Sequence, residues 1–225
     1  GEIGAGSNRM NRVLVAQAAA GVAACLRARA VTAAGGTPEA LDAPWPVDAE
    51  PVASIVLGYD GRKNSRVFAI DSAEIFAGAG LRVILLPRLL PTPVLAFAVR
   101  YFGADAGVMV TASHNPPNDN GYKVYLGGAD EGAQIVSPVD AEIAAQIERV
   151  ATTIPASKLR RSVGYFTAGE EVVDAYIAAT AAAAPAPVGA SALTWVYTAV
   201  HGVGWETFAR VVKAAGYSEP IVVKQ

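Results

Sequence analysis

Apolar and polar positions fall into blocks along this chain. Residues 54–59, 81–86 and 107–110 are short runs, apolar but for Ser54 and Arg82, separated by Gly, Pro and polar clusters. A continuous run of this length reads as a strand covered on both faces, because a half-exposed strand alternates instead. Between the runs, residues 66–77 and 93–102 read as helices. Gly78 and Gly80 stop the first. Thr92 is placed to cap the second, with Pro93 at its first helical position and Gly103 at its end. Residues 122–126 follow the third run closely enough to return antiparallel. Strands alternating with helices in this way predict an α/β fold, with a mixed, mostly parallel sheet sandwiched between helices.

Outside that block the pattern is less regular. Residues 1–11 are Gly-rich and polar, with Arg9 among them. They read either as an ordinary flexible terminus or as a glycine-permitted backbone curling toward a phosphate that Arg9 contacts. Asn11 can cap a helix running to about residue 30. Residues 33–53 are dense in Pro and Gly and read as an irregular loop. Ser137-Pro-Val-Asp140 and Thr167-Ala-Gly-Glu170 have the spacing of capping boxes opening two further helices, with 151–163 as a linker between them. A strand over 193–198, a loop over 199–204, a helix over 206–215 and a strand over 220–223 complete the chain. Two strands and two helices are a small core. The expected division is therefore a first domain over 1–160 and an incomplete second domain over 161–225, with the chain as a fragment that is inactive alone.

Composition narrows the class. Of 225 residues, 52% are apolar and 17% charged, as in a globular protein with a substantial core. A net charge of −2 gives no support to a broad nucleic-acid surface. Residues 13–30 are apolar, but Gln17, Arg27 and Arg29 interrupt them and alanine dominates, so a packed helix is expected rather than a membrane span. The single cysteine, Cys25, excludes an internal disulfide framework and fits a reducing cytoplasm.

The candidate chemistry lies in residues 108–126. An apolar strand opens at Thr111 into Ala-Ser-His-Asn-Pro-Pro-Asn-Asp-Asn-Gly and returns as a strand carrying Lys123. Ser113 allows three readings. It could bond its own loop backbone. It could be a hydrolase nucleophile, although the strand-to-helix G-x-S-x-G elbow is missing, and His114, as its immediate neighbour, is expected to point its side chain away. It could carry a phosphate, for which Asn115, His114, Lys123 and the loop N–H groups could serve as donors. Phosphoryl transfer also calls for a divalent cation. Arg62 follows another strand, so its loop and the Ser113 loop could share one sheet edge.

These residues resemble a known family. Thr111-Ala-Ser-His-Asn-Pro116 with Asp119-Asn-Gly-Tyr-Lys123 is similar to the phosphoserine loop of the α-D-phosphohexomutases, the phosphoglucomutase and phosphomannomutase superfamily. Gly58-Tyr-Asp-Gly-Arg62, Leu90-Pro-Thr-Pro93, Tyr197-Thr-Ala-Val-His-Gly-Val-Gly204 and the opening residues 1–11 follow that family's order. The resemblance implies an enzyme, an intramolecular phosphotransferase interconverting hexose 1-phosphate and hexose 6-phosphate of glucose or mannose. Ser113 would be the phosphoserine. Lys123 would assist proton transfer or charge stabilisation, and His114 would lie near the transferred phosphoryl group. Arg62, Asn115 and Arg9 would be phosphate-side contacts. It further implies Mg²⁺ held by the phosphate on Ser113 and by aspartates of an Asp-Gly-Asp-x-Asp-Arg motif that this chain lacks. A hexose 1,6-bisphosphate activator, hexose phosphates as partners and a cytoplasmic location follow, with homo-oligomer formation left open. The alternatives are a non-catalytic sugar-phosphate-binding homologue and a serine hydrolase.

Overall fold

The computed structural model describes residues 1–37 and 49–224, so part of the Pro/Gly-rich stretch at 33–53 lies outside the described residues. In chain order the elements are α1 (Arg12–Ala33), β1 (Ser54–Tyr59), α2 (Ser65–Gly78), β2 (Arg82–Leu85), α3 (Thr92–Tyr101), β3 (Ala106–Val110), β4 (Tyr122–Leu126) and β5 (Ala133–Gln134). They continue with α4 (Val139–Thr153), β6 (Phe166–Thr167), α5 (Glu171–Ala183), β7 (Val196–Tyr197), α6 (Trp205–Ala215) and β8 (Ile221–Val222). The expected strands and helices are all present. The two-residue strands β5 and β6 carry no apolar run and were not legible from the pattern.

Six strands form one sheet in the order β5-β4-β3-β1-β2-β6. β1 pairs in parallel with β2 and β3, β6 joins β2 in parallel, and β4 returns antiparallel to β3. Ile55, Leu57, Val108, Val110 and Val124 pack on one face with Phe68 and Phe76 of α2, Val22 of α1 and Ile143 of α4. Val56, Ile84, Met109 and Tyr125 pack on the other face with Leu95 and Val99 of α3 and Val172 and Ile177 of α5. β1 and β3, and β2 after its exposed Arg82, read as nearly continuous apolar runs because both faces are covered. Each large side chain so buried contributes about 1.5–3 kcal/mol.

The chain leaves β1 through α2 to one side, reaching β2, then passes through α3 on the opposite face to β3 on the other side of β1. β1 and β3 are thus neighbours whose following connections diverge. The carboxyl ends of β1 and β3 are the switch point, where open α/β sheets place ligands.

Local signals explain the helix ends unevenly. Asn11 caps α1 as expected, its side-chain oxygen accepting from the N–H groups of Val13 and Leu14. By length and composition α1 could cross a membrane, but half of its most apolar window is buried in the structure. It packs on α4 closely enough that a Cβ at Gly21 would lie 2.6 Å from Ile147 Cα. Pro91, not Thr92, occupies the cap position of α3. Neither expected capping box forms. α4 and α5 start after Pro138 and Glu170 without a side-chain cap hydrogen bond. Thr167 instead pairs with Leu85 as part of β6, because the open edge of β2 offers its backbone a full ladder partner.

That pairing bears on domain organisation. β6 and α5, expected in a second unit beginning at 161, complete the first sheet and cover one of its faces. β7 and β8 form a separate parallel pair. Arg88, just beyond β2, ties the two parts: Nε donates to Glu170 at 2.9 Å and Nη2 to Glu206 of α6 at 2.7 Å. On the other side of the sheet, Asp71 of α2 accepts from Arg12 Nε and Nη2 and from Arg161 Nη1, each at 2.7 Å.

Candidate active site

Two loops meet at the switch point, residues 60–64 after β1 and residues 111–121 after β3. Asp60 is the hub of the first. Its Oδ1 accepts from Ser65 Oγ at 2.6 Å and from the Arg62 N–H at 3.0 Å. Its Oδ2 accepts from Thr111 Oγ1 at 2.7 Å and lies 3.4 Å from Arg62 Nε. Thr111 Oγ1 in turn accepts from the Ser113 N–H at 3.0 Å.

Ser113 is exposed, and its backbone is left-handed, with φ at 51°. For a residue with a Cβ this conformation costs about 1–2 kcal/mol. It also overturns the expectation that the neighbouring side chains diverge. With the strand geometry broken at Ser113, its Oγ sits 2.9 Å from His114 Nδ1.

Arg62 reaches across to the serine loop. Nη1 donates to the carbonyls of Pro116 (2.8 Å) and Asp119 (3.2 Å), and Nη2 to those of Ser113 (2.6 Å) and Asn115 (2.9 Å). The expected role as a phosphate-side contact is therefore not what the contacts display: the guanidinium faces backbone carbonyls. Asn115 likewise gives its amide N–H to Asp119 Oδ2 at 3.0 Å. Buried Asn120 closes the loop by donating to Lys63 O at 3.0 Å and Ser65 Oγ at 2.8 Å. Gly121 fits because a Cβ there would lie 2.6 Å from Thr111 O. Asp60, Thr111 and Asn120 were not singled out as site residues by the sequence. The signal available was the Asp-Gly-Arg turn after one buried strand and the Asn-Gly pair before another.

Lys123 is half-buried on β4 opposite Met109. It shares the strand parity of Met109 and Tyr125, which pack on the α3 side of the sheet. Among the described residues its side chain makes no hydrogen bond or ion pair. The N-terminal segment is tied down: Ile3 N–H donates to Asn118 O at 2.8 Å, and Glu2 bridges to Asp119. This docks it on the serine loop, contrary to the flexible-terminus reading. Arg9 itself lies 3.5 Å from Glu2, half exposed. His201 sits on an exposed turn between β7 and α6.

Among the described residues no three His, Cys, Asp or Glu side chains come together in a way that could hold a metal ion. Asp60 is committed to Thr111, Ser65 and Arg62, and Asp119 accepts from Asn115. These residues do not form a Mg²⁺ site by themselves; a phosphate on Ser113 is the ligand they could offer.

Comparison with known proteins identifies the family and the fold. Residues 46–153 match the family described as phosphoglucomutase/phosphomannomutase, alpha/beta/alpha domain I. A "probable phosphomannomutase" of Haemophilus influenzae is 54% identical over 95% of this chain and 39% of its own length. A "probable phosphoribomutase" of Schizosaccharomyces pombe is 40% identical over 68% of this chain and 23% of its own. The crystal structure of a "putative phosphomannomutase" from Thermus thermophilus superposes with a TM-score of 0.64 at 26% identity, covering 96% of this chain and 43% of that one. The chain belongs to the α-D-phosphohexomutases, the phosphoglucomutase and phosphomannomutase superfamily. It spans about two fifths or less of the length of the curated relatives it matches.

Proposed function

We propose that the protein is a phosphohexomutase in which Ser113 carries the phosphoryl group exchanged between the 1- and 6-positions of a hexose phosphate. The observation that carries this is an exposed serine hydroxyl at the switch point of the sheet, on a loop whose backbone is held from both sides. In the first half-reaction the P–O bond to Ser113 Oγ breaks and a P–O bond to the free sugar hydroxyl forms. The sugar hydroxyl gives up its proton, Ser113 Oγ takes one, and a bisphosphate results. In the second half-reaction the other phosphate returns to Ser113. Lys123, whose side chain has no hydrogen-bond or ion-pair partner among the described residues, is the group proposed to move protons or offset charge at this step. His114, 2.9 Å from Ser113 Oγ, holds the hydroxyl in place.

Mg²⁺ and a hexose 1,6-bisphosphate activator belong to the proposal, although the described residues offer the ion only the phosphate on Ser113. The name of the Schizosaccharomyces relative favours a pentose phosphate as the second substrate to try. The test is to assay the full-length protein with glucose, mannose and ribose 1-phosphates, Mg²⁺ and the matching bisphosphate. Isomerisation of a hexose phosphate that disappears in Ser113→Ala supports the reading. Turnover surviving Ser113→Ala, or none with any hexose phosphate, contradicts it. The hydrolase alternative predicts labelling of Ser113 by a fluorophosphonate.

A further inference from the structure

We propose that Arg62 is the positioning residue of the serine loop: it fixes the Ser113–His114 peptide plane so that the His114 N–H is presented to the phosphoryl group, and it does not itself bind phosphate. The inference rests on the reading of Ser113 as a phosphoryl carrier.

A guanidinium has five N–H groups in one plane. Arg62 gives four to the carbonyls of Ser113, Asn115, Pro116 and Asp119, and its Nε faces Asp60 Oδ2. No donor is left for a phosphate. The side chain is only 15% exposed, as expected for a group serving the loop's interior.

The serine is held at both ends. Its N–H donates to Thr111 Oγ1, which donates to Asp60. Its carbonyl accepts from Arg62 Nη2, whose Nε faces the same Asp60 oxygen. One carboxylate therefore anchors both peptide groups around a residue with φ at 51°, a conformation that persists only when its surroundings over-determine it.

The consequence for chemistry follows from peptide geometry. In a planar trans peptide the C=O and N–H point in opposite directions. Drawing the Ser113 carbonyl into Arg62 turns the His114 N–H away from that largely buried guanidinium. That N–H makes no hydrogen bond among the described residues. A preset, unpaired N–H beside the reacting oxygen suits an anion. Lysine cannot replace this arrangement, because a tetrahedral ammonium has three donors and no planar fork.

The experiment uses the full-length protein and Arg62→Lys, with Arg62→Ala alongside. Steady-state kinetics on the hexose phosphate are measured together with single-turnover phosphorylation of Ser113 by the bisphosphate. The expected result for Arg62→Lys is a loss of about a hundredfold in both kcat and the phosphorylation rate, as for a reacting group displaced by about 1 Å, with KM little changed. Wild-type kcat in Arg62→Lys, or a raised KM with kcat intact, overturns the proposal, since the latter marks direct phosphate binding. If wild-type Ser113 accepts no phosphate, the proposed function fails and amide exchange then judges the brace. Faster exchange over residues 112–119 in Arg62→Lys, with β1 and β3 unchanged, supports it, and unchanged loop exchange overturns it. Should Arg62→Ala not fold, Arg62→Lys carries the test.

Discussion

Ser113 and Lys123 show how two residues of one motif are placed by different means. Ser113 is set by backbone strain, a left-handed residue gripped at its N–H and its carbonyl. Lys123 is set by strand register, opposite Met109 at the rim of the sheet, and its ammonium makes no hydrogen bond or ion pair among the described residues. Its removal should therefore cost activity and not stability. Lys123→Met is expected to lower kcat about 10²- to 10⁴-fold, the range of a proton-transfer group, while the melting temperature stays near wild type. A variant that melts early yet turns over normally while folded would give Lys123 a purely structural role.

At the scale of elements, the clearest test is the ion cluster under α2. Burial alone would raise the Asp71 carboxyl, but the hydrogen bonds and charges of Arg12 and Arg161 outweigh it and hold the group below the usual carboxylate range. A folded-state pKa below the unfolded one adds stability above about pH 4 that is lost as pH falls through the lower, folded value. Asp71→Asn is expected to be less stable than wild type by about 1–3 kcal/mol at neutral pH, the value of hydrogen bonds to charged groups. The gap should close as pH drops below about 4. Urea titrations across that range check it, and a gap independent of pH contradicts it.

The same scale shows what the sequence could reveal. The apolar runs were long enough to place β1, β2 and β3 within a residue or two, and Asn11 announced α1 before any contact was known. The capping boxes misled because Thr167 found a stronger partner in the backbone of Leu85, a tertiary pairing that local spacing cannot express. The division at 160/161 met the same difficulty: β6 is two exposed residues whose membership in the first sheet depends on the free edge of β2. In the site, the motif pointed to Ser113 and its neighbours. That Asp60 organises them through Thr111 and Arg62 was hidden, because the two loops are some fifty residues apart and only parallel pairing of β1 with β3 brings them together.

For the molecule as a whole, the first sheet and the β7–β8 pair are held together by α5 packing on α6 and by Arg88 between Glu170 and Glu206. Such partly exposed ion pairs contribute little to global stability, about 0–1 kcal/mol. Arg88→Ala is thus expected to raise amide exchange over 199–215 while leaving β1 and β3 protected; exchange rising first in those central strands contradicts this. On the proposed function, this fold presents one hydroxyl as a reversible phosphoryl carrier. The most direct measurement is peptide mapping by mass spectrometry of the full-length protein after incubation with hexose 1,6-bisphosphate. A phosphate on Ser113, removed by excess hexose monophosphate and absent from Ser113→Ala, is the expected result. A protein that turns over hexose phosphate with its phosphate on another residue, or with none, would contradict the account.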